Sequence, residues 1–149
     1  MFKMLWVLCF VFFISIVELI CAEKLDPTRF TNDVLDDERV WAIEFYSGMC
    51  GSCKEFAPKW EFLQEKMSAV VTSKVNIDEK PGMDLAQKLG VLQEGLPNIR
   101  LFSNTGQTQG IPIMPGTEMT SKELWAKLKR NVQKLDKNAD GFYLKSNRN

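Results

Sequence analysis

A short apolar run, Val40-Trp41-Ala42-Ile43-Glu44-Phe45-Tyr46, stops at Ser47-Gly48 and is followed at once by Cys50-Gly51-Ser52-Cys53. This juxtaposition constrains the chain more than any other feature. The run is β-branched and aromatic and too short for a helix, so it predicts a buried strand. From Cys50 onward, Phe56, Trp60, Phe62, Leu63 and Met67 fit a helix, so the cysteine pair opens a helix that runs to about Met67, with Pro58 as a kink. A buried strand running into a helix calls for a layered α/β domain, and 149 residues suit one such domain.

The rest of the chain extends the pattern. Asp26-Pro27 opens a short helical stretch, Asp26 as N-cap, carrying Phe30, Val34 and Leu35. Residues 70–77 alternate as a second strand, and Met83, Leu85, Ala86 and Leu89 mark a helix stopped by Gly90. Residues 98–102 form a third strand, Ser103 to Gly106 a turn, and residues 110–114 an edge strand. Ser121 caps a last amphipathic helix bearing Leu124, Trp125, Leu128, Val132 and Leu135. The order αβαβαββα predicts a central mixed sheet flanked by helices on both faces.

Composition narrows the chemistry. The chain has no histidine, which removes Ser-His and Cys-His catalysis and histidine-ligated zinc. Its balanced 19 basic and 19 acidic residues argue against a nucleic-acid partner. Of the first 22 residues only Lys3, Ser15 and Glu18 are not hydrophobic. Residues 1–22 therefore read as a signal peptide cleaved after Ala22, with an uncleaved anchor as the alternative. Cleavage removes Cys9 and Cys21, leaving 23–135 as the folded domain and 136–149 as a polar tail. The chain carries no Lys-Asp-Glu-Leu type of retention address at its end.

Two cysteines cannot supply a four-ligand zinc site. At the start of a helix, Cys50 faces unpaired amides and the positive end of the helix dipole, which favour its thiolate. Cys53 lies on the same face one turn inside, at a spacing that suits a disulfide. Gly51 and Ser52 leave room for a partner sulfur, and Lys54 follows. Together these residues describe a thiol–disulfide exchange device. Glu44 shares its strand face with Ala42 and Tyr46; buried beneath the helix start, its carboxyl pKa would rise, suiting it to take a proton from Cys53. Near the chain end, Asp136, Asn138, Asp140 and Gly141 match the opening of a calcium loop, but position twelve is Asn147, and a helix-terminating turn explains the same residues. No metal site is expected.

The segment from Glu44 to Lys54, followed by Phe56-Ala57-Pro58-Lys59-Trp60, resembles the active-site segment of the thioredoxin superfamily. It is most similar to the catalytic domains of protein disulfide isomerases, with their pattern E-F-Y-A-P-W-C-G-H-C-K. The likeness continues through Val75-Asn76-Ile77-Asp78, Leu89-Gly90-Val91 and Gly95 to Phe102. It implies a thioredoxin-like fold, with Pro97 as a cis-proline facing the cysteines, Leu96 pairing through its backbone with extended substrate, and Met49 beside it. It also implies a secretory-pathway oxidoreductase acting as a monomer on protein disulfides or dithiols, recharged by a redox partner. No cofactor is expected beyond the Cys50/Cys53 pair.

The departures are Gly48 and Met49 for the usual Pro and Trp, Ser52 for the isomerase His, and Gly116-Thr117-Glu118 for Gly-x-Arg. Without imidazole, Cys50 should be less acidic, and the potential should fall between roughly −270 and −180 mV, nearer the reducing end. Two other readings remain open: a redox-capable adaptor or chaperone for extended polypeptides, and a metal or cluster site shared between two copies.

Overall fold

The computed structural model describes residues 25–147. The expected signal peptide or anchor, with Cys9 and Cys21, lies outside them. Asp26 caps the first helix as its composition requires: its carboxylate accepts the N–H groups of Thr28 and Arg29, and Pro27 fills the first turn. Helix α1 (Pro27–Arg29) continues directly into a π-helical turn, Phe30–Leu35, which buries Phe30 and Val34. Strand β1 (Trp41–Tyr46) follows, then α2 (Gly51–Lys66), β2 (Val71–Asn76), α3 (Lys80–Lys88), the short α4 (Val91–Glu94), β3 (Asn98–Phe102), β4 (Ile111–Pro115) and α5 (Ser121–Val132).

The strands lie in the order β2-β1-β3-β4, with β1 parallel to β2 and antiparallel to β3, and β4 antiparallel to β3 at the edge. This is the mixed central sheet expected from the sequence. Alternation along β1 sends its side chains to two cores. Ala42 joins Ile99, Leu101, Phe56, Trp60, Leu63, Leu124 and Leu128 under α2 and α5. Ile43 and Phe45 join Phe30, Val34, Val75, Leu85 and Phe102 under α1 and α3. Each such large apolar side chain stabilises the fold by about 1.5–3 kcal/mol relative to exposure. Burial on both faces explains why β1 reads as a nearly unbroken apolar run.

Three local details differ from expectation. The last helix is capped by Thr120, not Ser121: the Thr120 hydroxyl accepts the Glu123 N–H and the Glu123 carboxylate accepts the Thr120 N–H. This reciprocal pair satisfies two orphan donors, whereas Ser121 has no acid three residues on. Second, Gly90 at φ 73° ends α3, and the chain then makes one further helical turn, α4. Third, residues 136–147 are paired into the domain. Tyr143 O accepts the Val40 N–H, Lys145 N–H reaches Glu38 O, and Ser146 N–H reaches Ser103 O. The buried Lys145 ammonium donates to the carbonyls of Val34, Leu35 and Asp37. Asn138 spends its side-chain oxygen on the N–H groups of Asp140 and Phe142, so the calcium-like stretch is a hydrogen-bonded turn.

Candidate active site

The cysteines sit where β1 hands over to α2. Strand β1 ends at Tyr46; Ser47 and Gly48 turn the chain, and Cys50 becomes the N-cap of α2 with extended backbone (φ −83°, ψ 118°). Its sulfur accepts the Cys53 N–H at 3.2 Å, one of the donors a helix leaves unpaired at its start. Cys50 and Cys53 form a disulfide with Cα atoms 5.2 Å apart. Cys50 is partly exposed, whereas Cys53 is buried on the side of α2 that faces the sheet, in line with Phe56, Trp60 and Leu63. A partner sulfur therefore meets Cys50 first. Gly51, Ser52 and Lys54 are exposed around it, and Met49 is 84% exposed beside it.

The loop before Cys50 is held by a residue that sequence reasoning did not single out. Asp78, just past β2, accepts the Ser47 hydroxyl at 2.6 Å and the Gly48 N–H at 2.6 Å, and Ser47 Oγ accepts the Met49 N–H. The signal was present in Val75-Asn76-Ile77-Asp78: β2 is parallel to β1, so the residue after its end emerges beside the turn that carries the cysteines. Gly82 of α3 makes that end tight, because a Cβ there would stand 2.0 Å from the Asn76 carbonyl oxygen.

Glu44 is 1% exposed and shares its sheet face with Ala42, under α2. Burial raises its carboxyl pKa above the ordinary value; the Lys74 ammonium opposes that rise, and the more distant Glu61 charge adds to it. Lys74 is the register partner of Glu44 on β2, its Nζ 3.3 Å from Glu44 Oε2 and 4.8 Å from the Tyr46 ring centroid. Sequence reasoning found the acid but not this base, since parallel register is invisible in a single strand.

Leu96 and Pro97 close the site from the opposite side. Their peptide bond is cis, and Pro97 is buried at the start of β3. The Ser52 hydroxyl lies 3.4 Å from the Leu96 carbonyl oxygen and 3.1 Å from Cys50 Sγ. Gly116 stands behind them: its N–H reaches the Pro97 carbonyl, and its φ of 67° together with close approach to Glu94 and Gly95 excludes a side chain. Glu118 is exposed on the same rim as Ser52 and Pro97. Among the described residues, no group of three or more His, Cys, Asp or Glu side chains is placed to hold a metal.

The sequence family described as Thioredoxin matches residues 22–134. Among curated relatives, a protein disulfide-isomerase A6 homolog of Drosophila melanogaster is 30% identical over 115 residues, covering 74% of this chain and 25% of the relative. Protein disulfide-isomerase A6 of Homo sapiens is 33% identical over 82 residues, 53% of this chain and 18% of the relative. The chain thus spans a quarter or less of the length of these relatives. Among solved structures, Chlamydomonas reinhardtii thioredoxin f2 superposes with a TM-score of 0.56 over 72% of this chain and 93% of its own, at 21% identity, a likeness of fold.

Proposed function

Since this chain belongs to the thioredoxin family, we propose that it is a thiol–disulfide oxidoreductase of the protein disulfide-isomerase type, acting on protein disulfides and dithiols in the secretory pathway. The observation that carries this reading is the asymmetry of the pair: a reachable Cys50 capping α2 and a buried Cys53 one turn inside it.

In the reducing direction the Cys50 thiolate attacks one sulfur of a substrate disulfide. A Cys50–substrate disulfide forms and the other substrate sulfur leaves as a thiolate. Cys53 then loses its proton and attacks Cys50 Sγ. The Cys50–Cys53 disulfide forms, the second substrate sulfur leaves, and two electrons have passed to the substrate. A dithiol reductant restores the pair; the reverse sequence oxidises a substrate dithiol. Glu44, on the face of the sheet that Cys53 also faces, accepts the Cys53 proton, its raised pKa bringing it nearer to that of a thiol. Lys74 holds its carboxylate in place. Asp78 fixes the turn that aims Cys50. Leu96 offers backbone to an extended substrate, with Met49 as an apolar contact.

Turnover of insulin disulfides with a dithiol reductant tests this reading. Wild-type protein should accelerate reduction, Cys50→Ser should be inert, and Cys53→Ser should accumulate a mixed disulfide with substrate. Equal rates for wild type and Cys50→Ser would overturn it. The exposed Met49 favours a second reading, an adaptor that holds extended polypeptides with little turnover. Binding of unfolded protein that persists in Cys50→Ser, without catalysis by wild type, would select the adaptor.

A further inference from the structure

The Ser52 hydroxyl stands between two acceptors, Cys50 Sγ at 3.1 Å and the Leu96 carbonyl oxygen at 3.4 Å. A serine hydroxyl carries one proton, so it serves one of them well at a time. In the disulfide, Cys50 Sγ is a neutral and weak acceptor with no proton of its own, and the carbonyl is the stronger claimant. As a thiolate, Cys50 is an anion, and hydrogen bonds to ionised acceptors are about twice as strong as neutral ones. The balance then tips toward sulfur. The Cys53 N–H already points at the same atom from inside the helix, so Ser52 would add a second donor from outside. Among the described residues, no other hydrogen bond to the Leu96 carbonyl accompanies that from Ser52.

We propose that Ser52 is a positioning residue whose single hydroxyl proton turns from the Leu96 carbonyl to Cys50 Sγ when the pair passes from disulfide to thiolate. One rotation about the Ser52 Cβ–Oγ bond stabilises the nucleophile and clears the Leu96 carbonyl for an N–H of an extended polypeptide. No bond to hydrogen is broken; the electrons that open the disulfide come from the dithiol reductant. The coupling is reciprocal: a polypeptide seated on Leu96 leaves the hydroxyl free for Cys50 and lowers the pH at which the thiolate forms. This inference rests on the roles proposed above for Cys50 and Leu96. It gives the serine that replaces imidazole a task of its own.

The test is the pH profile of Cys50 alkylation in the reduced protein, read at Cys50 by mass spectrometry, for wild type, Ser52→Ala and Ser52→Thr. One pH unit below the wild-type midpoint, Ser52→Ala should react about fivefold more slowly, the equivalent of one ordinary hydrogen bond. Ser52→Thr, which keeps the hydroxyl, should follow wild type. All three should reach the same rate at high pH, where ionisation is complete. In parallel, carboxymethylated insulin B chain, an extended polypeptide without free thiols, should bind reduced wild type several-fold tighter than the disulfide form. That ratio should fall to about one in Ser52→Ala. An unshifted midpoint in Ser52→Ala, a Ser52→Thr midpoint displaced as far as that of Ser52→Ala, or an undiminished binding ratio in Ser52→Ala would each overturn the proposal. Alkylation needs no turnover, so failure of insulin reduction with a shifted profile would refute the enzyme reading and leave this one standing.

Discussion

Glu44 places an acid where the solvent cannot reach it, and its pH dependence follows from that. A carboxyl whose folded pKa is raised stabilises the fold below its unfolded value, near 4.5, and that contribution is lost as the pH rises through the folded value. Glutamine keeps the shape and removes the charge. Glu44→Gln should therefore be more stable than wild type by about 1 kcal/mol at pH 8, with the difference closing toward pH 4.5. Lys74, left without its partner, is exposed enough to stay hydrated. The same variant should slow resolution of the mixed disulfide by about a hundredfold, the low end of general-base effects. Urea unfolding at the two pH values, with stopped-flow turnover, checks both parts; an equal stability gap at both pH values would refute the account. At this scale Cys50, Cys53 and Glu44 were legible because each breaks a local pattern: a pair at fixed spacing, an acid in an apolar strand. Asp78 and Lys74 were not, because their meaning arises only when β2 lies beside β1.

The elements themselves were legible where one period dominates. The Val40–Tyr46 run and the Phe56–Trp60–Leu63 stripe predict β1 and α2 to within a residue or two. The sequence misled where neighbouring residues compete for one task. Thr120 and Ser121 are both able caps, and only the distance to Glu123 decides between them. The π-helical turn at Phe30–Leu35 keeps the apolar spacing of an α-helix, so periodicity alone could not separate the two. Element contacts also depend on what is missing from a side chain. Gly116 lies against Glu94 and Gly95, joining the end of β4 to the segment before Pro97, and a Cβ there would meet the Glu94 carbonyl oxygen at 2.3 Å. Gly116→Ala should therefore cost about 2 kcal/mol or more, combining a strained positive φ with a backbone clash. A thermal melt reads the loss; an unchanged midpoint would mean that the two segments can part freely.

In the whole molecule, the two cores share one sheet, and the C-terminal residues bind it to the first helical segment. Lys145 does this with an ammonium that burial pushes down in pKa, satisfied by carbonyls more than a hundred positions away in the chain. Lys145→Met keeps the apolar stem but abandons those carbonyls. It should lower stability by about 2 kcal/mol while leaving the glutathione equilibrium of the Cys50/Cys53 pair unchanged, as urea titration and redox titration would show. A shifted redox equilibrium would instead mean that the strap and the cysteines communicate. Composition had set residues 136–149 apart as a polar tail, and nothing in composition announces a lysine that folds inward. The strap also lies far from the cysteines. It grips the chain at Val40, just before β1, at the end opposite Tyr46 and the cysteines, about 20 Å away along the strand. The strap and the reactive sulfur thus sit at opposite ends of β1, and a contact made near residue 147 leaves the approach to Cys50 open.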